Sequence, residues 1–148
     1  MFGSIVIGTD GSDTAKQAVR DAVALAKGAG AKLLVVSVYE PVSSVHLRDE
    51  SGPPPENPDW GVNARDAVLA ILEQTASEAH ASGVPEVETF ARQGDPADAI
   101  LDVAEEQRAD LIVVGNRGMT GKRRFMLGSV PNKLSHSAPC SVLIVKTT

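Results

Sequence analysis

The stretch DLIVVGNRGMTGKRRFMLGSV, residues 110–130, carries an apolar run into a glycine-rich loop and on to a serine that opens a helix. Gly115, Gly118, Gly121 and Gly128 place four glycines within fourteen residues, which frees the backbone for positive φ and for close approach to a ligand. A helix starting at Gly128-Ser129 points unpaired N–H groups and the positive end of its dipole into that loop, an arrangement that attracts phosphate. Strand, loop and helix in succession form one step of a parallel α/β sheet. In such open sheets the ligand crevice lies beyond the carboxyl ends of the strands, where strand order reverses. The first loop, GTDGS at residues 8–12, is expected to meet the glycine loop there.

The rest of the chain repeats this alternation. Runs rich in β-branched residues at Ser4–Gly8, Lys32–Val38, Glu86–Ala91, Asp110–Val114 and Ser141–Lys146 read as five strands. Four are nearly continuously apolar, as strands covered by helices on both faces are; the third is more polar and suits an edge. Thr14–Lys27 carries an apolar stripe at helical spacing, stopped by Gly28 and Gly30. Ala64–Ala81 reads as a long helix ended by Gly83 and Pro85. Asp95-Pro96 starts another, with a capping carboxylate and a proline at the first helical position. Ser129 opens a short last helix, in whose first turn Pro131 is tolerated.

Residues 41–59, from Pro41 to Asp59, hold five prolines and no periodicity. They are expected to form an irregular flexible loop, either a lid or a plain excursion. No repeat or composition shift marks a second unit, so residues 1–148 are expected to be one domain.

Composition narrows the function. Net charge is −5, with 14 Lys+Arg against 19 Asp+Glu, which argues against nucleic acid as a partner, and three Phe, one Trp and one Tyr offer little for stacking on bases. No apolar run approaches the ~20 residues that span a bilayer, so no membrane partner is expected. The opening MFGSIVIGTDGS has neither basic leader nor long apolar core. The single cysteine, Cys140, excludes an internal disulfide and fits a cytoplasmic setting.

Read as a pattern, the loop is Gly115-x2-Gly118-x9-Gly128-Ser129, and with IVIGTDGS at the start and CSVLIVK at the end the chain resembles the ATP-binding branch of the universal stress protein family. The resemblance implies a three-layer, Rossmann-like α/β/α sandwich, similar to adenine nucleotide α-hydrolases, with five parallel strands in order 3-2-1-4-5. It also implies a homodimer through the last strand, Val142 to Val145. Carried over by position, Gly8, Thr9 and Asp10 would hold the adenosine, Val38 the adenine, and Val114 and Gly115 the nucleoside. Gly118 would lie against ribose or phosphates, and Gly128, Ser129 and Val130 at the phosphates. Asn116 and Arg117 are further loop contacts. The ligand so implied is ATP, or AMP or another adenine nucleotide, with Mg²⁺ arriving on ATP near Asp10 and an unidentified protein as downstream partner.

The residues also permit plainer roles. Asp10 fits a turn that caps the first helix together with Ser12 and Asp13 as well as it fits a ribose contact. Lys122-Arg123-Arg124 is either a solvated loop or a phosphate clamp. His46, His80 and His136 lack ligand spacing, so no protein metal cluster is expected, and Cys140 has no evident base. No triad and no general base near a γ-phosphate are visible, so at most slow hydrolysis is expected, in a nucleotide-dependent stress-response or regulatory module. Two alternatives remain: a nucleotide-free interaction module of the same fold, and an ATP-consuming enzyme of the α-hydrolase type.

Overall fold

A computed structural model describes residues 2–39, 60–116 and 127–147, with residues 60–64 described by their backbone alone. The proline-rich segment 41–59 lies outside the described residues. The order is β1 (Ser4–Gly8), α1 (Asp13–Ala29), β2 (Lys32–Tyr39), α2 (Trp60–Ser82), β3 (Val87–Gln93), α3 (Pro96–Glu106), β4 (Leu111–Gly115), α4 (Ser129–Ser137) and β5 (Ser141–Val145). All strands are parallel, in the order β3-β2-β1-β4-β5. Both the five-strand α/β reading and the strand order implied by the resemblance are observed.

The continuous apolar runs split by alternation. On one face Ile5, Ile7, Leu33, Val35, Leu111 and Val113 pack under Ala18, Ala22 and Ala26 of α1 and Val68, Leu72 and Ala79 of α2. On the other, Val6, Leu34, Val36, Ile112 and Val114 pack under Ile100 and Val103 of α3 and Val130 and Leu134 of α4. Each fully buried side chain of this size contributes about 1.5–3 kcal/mol relative to exposure. Period-2 geometry thus turns unbroken apolar segments into two cores.

Boundaries differ from the sequence reading in instructive ways. Helix α1 runs through Gly28 and ends at Gly30, whose φ of 65° lets its N–H turn back to the Ala26 and Lys27 carbonyls. Gly28 therefore does not stop the helix, because an interior glycine costs only about 1 kcal/mol. Helix α2 begins at Trp60, four residues before the expected Ala64, and β3 extends to Gln93 because its ladder with β2 continues to Tyr39↔Gln93. The polar β3 is an edge, as expected. The apolar β5 is also an edge, with Leu143 39% exposed, so its apolar run does not signal cover on both faces.

Candidate functional site

Strands β1 and β4 lie side by side at the centre, and the chain leaves them in opposite directions along the sheet. Their carboxyl ends therefore open the crevice where α/β sheets bind ligands. Gly8 ends β1, Gly115 ends β4, Val38 is next to last in β2, and α4 starts at Ser129. Val38, Val114 and Val130 belong to the same apolar cluster, on the α3/α4 face. Of the expected site residues, Arg117 and Gly118 lie outside the described residues, as do Lys122, Arg123 and Arg124.

The turn after β1 is tightly organised. The Thr9 N–H donates to the Val36 carbonyl at 2.9 Å, extending the ladder, and Thr9 is buried. The Gly11 N–H donates to Thr9 Oγ1 at 3.1 Å and the Ser12 N–H to Asp10 Oδ1 at 2.9 Å. Ser12, rather than Asp10, is the N-cap of α1, accepting from the Ala15 N–H at 3.2 Å. Asp10 thus shapes the turn with one carboxylate oxygen. Gly11 is obligatory: its φ is +80°, and a Cβ there would lie 2.9 Å from Ile71 Cδ1.

The glycines of the later loop play a different part. Gly128 has φ −62° and ψ 163°, open to any residue, and Gly115 is not among the positive-φ glycines. Of the two uses expected for the loop glycines, positive φ and close approach to a ligand, these two do not serve the first. A Cβ at Gly115 would meet the Thr147 methyl at 3.4 Å and Ala18 Cβ at 4.0 Å, so the glycine lets the end of β4 pack closely against both.

Helices α1 and α3 each have a side-chain cap, Ser12 and Asp95, with the Asp98 N–H donating to Asp95 Oδ2 at 3.0 Å. Among the described residues helix α4, whose N-cap is Gly128, has no side-chain cap bond, and the first N–H groups of a helix left so are donors that an anion can take. Ser129 is exposed beside them. The two stems of the loop are joined there, the Gly128 N–H donating to the Asn116 carbonyl at 2.9 Å. Asn116 Oδ1 accepts from Thr147, from its N–H at 2.9 Å and its Oγ1 at 3.1 Å. The role of Thr147 carried no signal in the sequence, because it lies 31 residues from Asn116 and outside any motif.

On the α1 side the crevice is closed. Gly8, Thr14, Ala15, Ala18, Val114, Gly115 and Thr147 enclose only about 10 Å³, no more than one water needs. A larger cavity of about 240 Å³, between α1 and α2, shares Thr9 and Gly11 with the turn but is lined by neither Gly115, Gly128 nor Ser129.

Charges around the site are paired at the surface. Lys133 of α4 reaches Asp98 at 2.6 Å and Asp95 at 3.5 Å, and the hydrogen bond it donates to Asp98 raises the lysine pKa. The Cys140 thiol is pushed up by burial and, secondarily, by Asp110, the opposite of what a nucleophile needs. Among the described residues no group of three or more His, Cys, Asp or Glu could hold a metal ion, and no helix is long and apolar enough to cross a membrane.

The family model described as "Universal stress protein family" matches residues 1–146. A universal stress protein of Thermus aquaticus is 42% identical over 147 residues, covering 99% of this chain and 100% of the relative. One from Mycobacterium tuberculosis strain H37Rv is 38% identical over 152 residues, covering 99% and 98%. Among solved structures, a universal stress protein in complex with cAMP shares 32% identity at a TM-score of 0.73, covering 99% of this chain and 98% of that one. The universal stress protein from Archaeoglobus fulgidus in complex with dAMP, 24% identical with a TM-score of 0.68 and covering 97% and 98%, shares the fold.

Proposed function

This chain belongs to the universal stress protein family, and from that premise we propose that it binds an adenine nucleotide, ATP with Mg²⁺, at the carboxyl edge of its sheet. The observation that carries the proposal is that α4, the helix reached from β4 through the glycine loop, starts at Gly128 with no side-chain cap bond among the described residues. The cAMP complex of a relative 32% identical supports an adenine nucleotide as the ligand.

The residues fit the group. Val38, partly buried near the end of β2, would lie against the base, and Val114, buried at the end of β4, would bring its backbone against the nucleoside. Gly115 and Asn116 would carry the backbone past the ribose, and Gly128 would leave room at the helix start; Arg117 and Gly118, loop contacts by the resemblance, lie outside the described residues. The N–H groups of Ser129 and Val130, with the Ser129 hydroxyl, donate to phosphate oxygens. Gly8 and Thr9 bring the backbone of the β1 turn against the nucleoside. Asp10, partly exposed with one oxygen in the turn, accepts from a ribose hydroxyl or from a Mg²⁺-held water. Bound ATP would bring Mg²⁺ on its phosphates, in keeping with that ion's habit of taking one or two carboxylates plus phosphate.

Such a site holds its ligand without attacking it. Among the described residues no base stands ready to activate water, and positioning with charge stabilisation is what phosphoryl transfer requires. The protein then works by its bound state, as a regulatory module with at most slow hydrolysis, paired as a homodimer through β5. Denaturing the purified protein and identifying released nucleotide by mass spectrometry, with thermal shifts by ATP, AMP and cAMP, tests this. An adenine nucleotide and a shift of several degrees are expected. Neither release nor shift would leave the fold as a nucleotide-free interaction module.

A further inference from the structure

Asn116 uses three groups to join three elements. Its N–H donates to the Val145 carbonyl at 2.8 Å, carrying the β4–β5 ladder one step past the sheet. Its carbonyl accepts from Gly128 at the start of α4. Its side-chain Oδ1 accepts twice from Thr147, just beyond β5. The Thr147 methyl also sits 3.4 Å from where a Gly115 Cβ would be, and its side chain helps close the α1 side of the crevice.

We infer that Thr147 is a positioning residue of the nucleotide site: by clasping Asn116 it sets the spacing of the two loop stems and ties them to the exit of β5. This rests on the nucleotide reading above. The physical reason is that a rotatable amide on a loop stem has several rotamers, and two convergent donors select one. The Asn116 carbonyl and the bare α4 N-terminus are then held at a fixed separation before any ligand arrives, and preorganisation of this kind lowers the ordering cost of binding. The role of Thr147 runs through its two bonds to Asn116 and requires no contact of its own with phosphate.

The two bonds can be removed one at a time. Thr147→Ser keeps both donors, Thr147→Val keeps only the N–H, and Thr147→Pro keeps neither. Titration calorimetry with Mg·ATP on the full chain is expected to give wild-type affinity for the serine variant, with losses of about threefold for valine and about tenfold for proline. Melting temperatures should stay close to wild type, since the residue lies beyond the last strand. Equal affinities across the series would overturn the inference and leave the proposed function intact. So would a serine variant as weak as valine, or affinity that falls only in step with melting temperature, because the clasp would then be packing alone. A wild-type protein that takes no nucleotide would instead bring down the function, and this inference with it.

Discussion

The β3–α3 unit and the β4–α4–β5 unit are built from the same parts and finished differently. Both contain an edge strand and a short helix on the same face of the sheet. In β3 the edge is charged: Glu88 pairs with Lys32 at 2.8 Å, and Arg92 with Glu106 at 2.7 Å, a bond that lowers the Glu106 pKa and raises that of Arg92. The helix that follows starts with its own cap, Asp95, and Pro96. In β5 the edge is SVLIV, with no charge and Leu143 exposed, and α4 starts bare. Charged edges resist pairing with other chains, whereas apolar ones invite it. Among the described residues one unit carries charges along its edge and a capped helix, and the other has neither.

Three substitutions would break or sharpen that contrast. The largest effect is expected from Leu143→Asp, which puts on β5 the kind of charge that β3 carries. Two symmetry-related copies of a leucine, each contributing about 1.5–3 kcal/mol on burial, imply a dimer weakened at least about a hundredfold. Sedimentation equilibrium reads this, and a protein that is monomeric before the change would remove β5 from any interface. Next comes Gly128→Asp, which gives α4 the cap that α3 already has. The backbone at Gly128 suits a capping aspartate, so thermal stability should hold or rise by a few tenths of a kcal/mol. Nucleotide affinity should fall at least about tenfold as the new carboxylate takes the phosphate's donors and repels it. Affinity and stability moving together would contradict this account of the bare helix start. The smallest effect is expected from Asp95→Ala, a loss of about 1 kcal/mol in denaturant titration from an uncapped α3, with nucleotide affinity unchanged.

Much of this contrast was legible residue by residue. The polar composition of β3 marked it as an edge, and Asp95-Pro96 announced a capped helix, because both signals are local. The glycine spacing from Gly115 to Gly128 is legible as a motif, and of the two reasons open for it, positive φ and close approach, the backbone removes the first at Gly115 and Gly128. Gly11 takes positive φ; Gly115 and Gly128 do not. Asp10 was divided between cap and ligand contact, and the fold gives the cap to Ser12 while leaving Asp10 at the turn.

What the sequence by itself determined was the alternation of strand and helix, the apolar character of β1, β2, β4 and β5, and the polar edge at β3. Those follow from side-chain periodicity and local backbone preference, which act over a few residues. What only the tertiary structure decided was which apolar strand stays uncovered and which distant residue clasps the loop. β5 is as apolar as the central strands and differs from them only in having one neighbour. Thr147 meets Asn116 only because parallel pairing brings the ends of β4 and β5 together, and a contact created by strand pairing leaves no mark on the residues between.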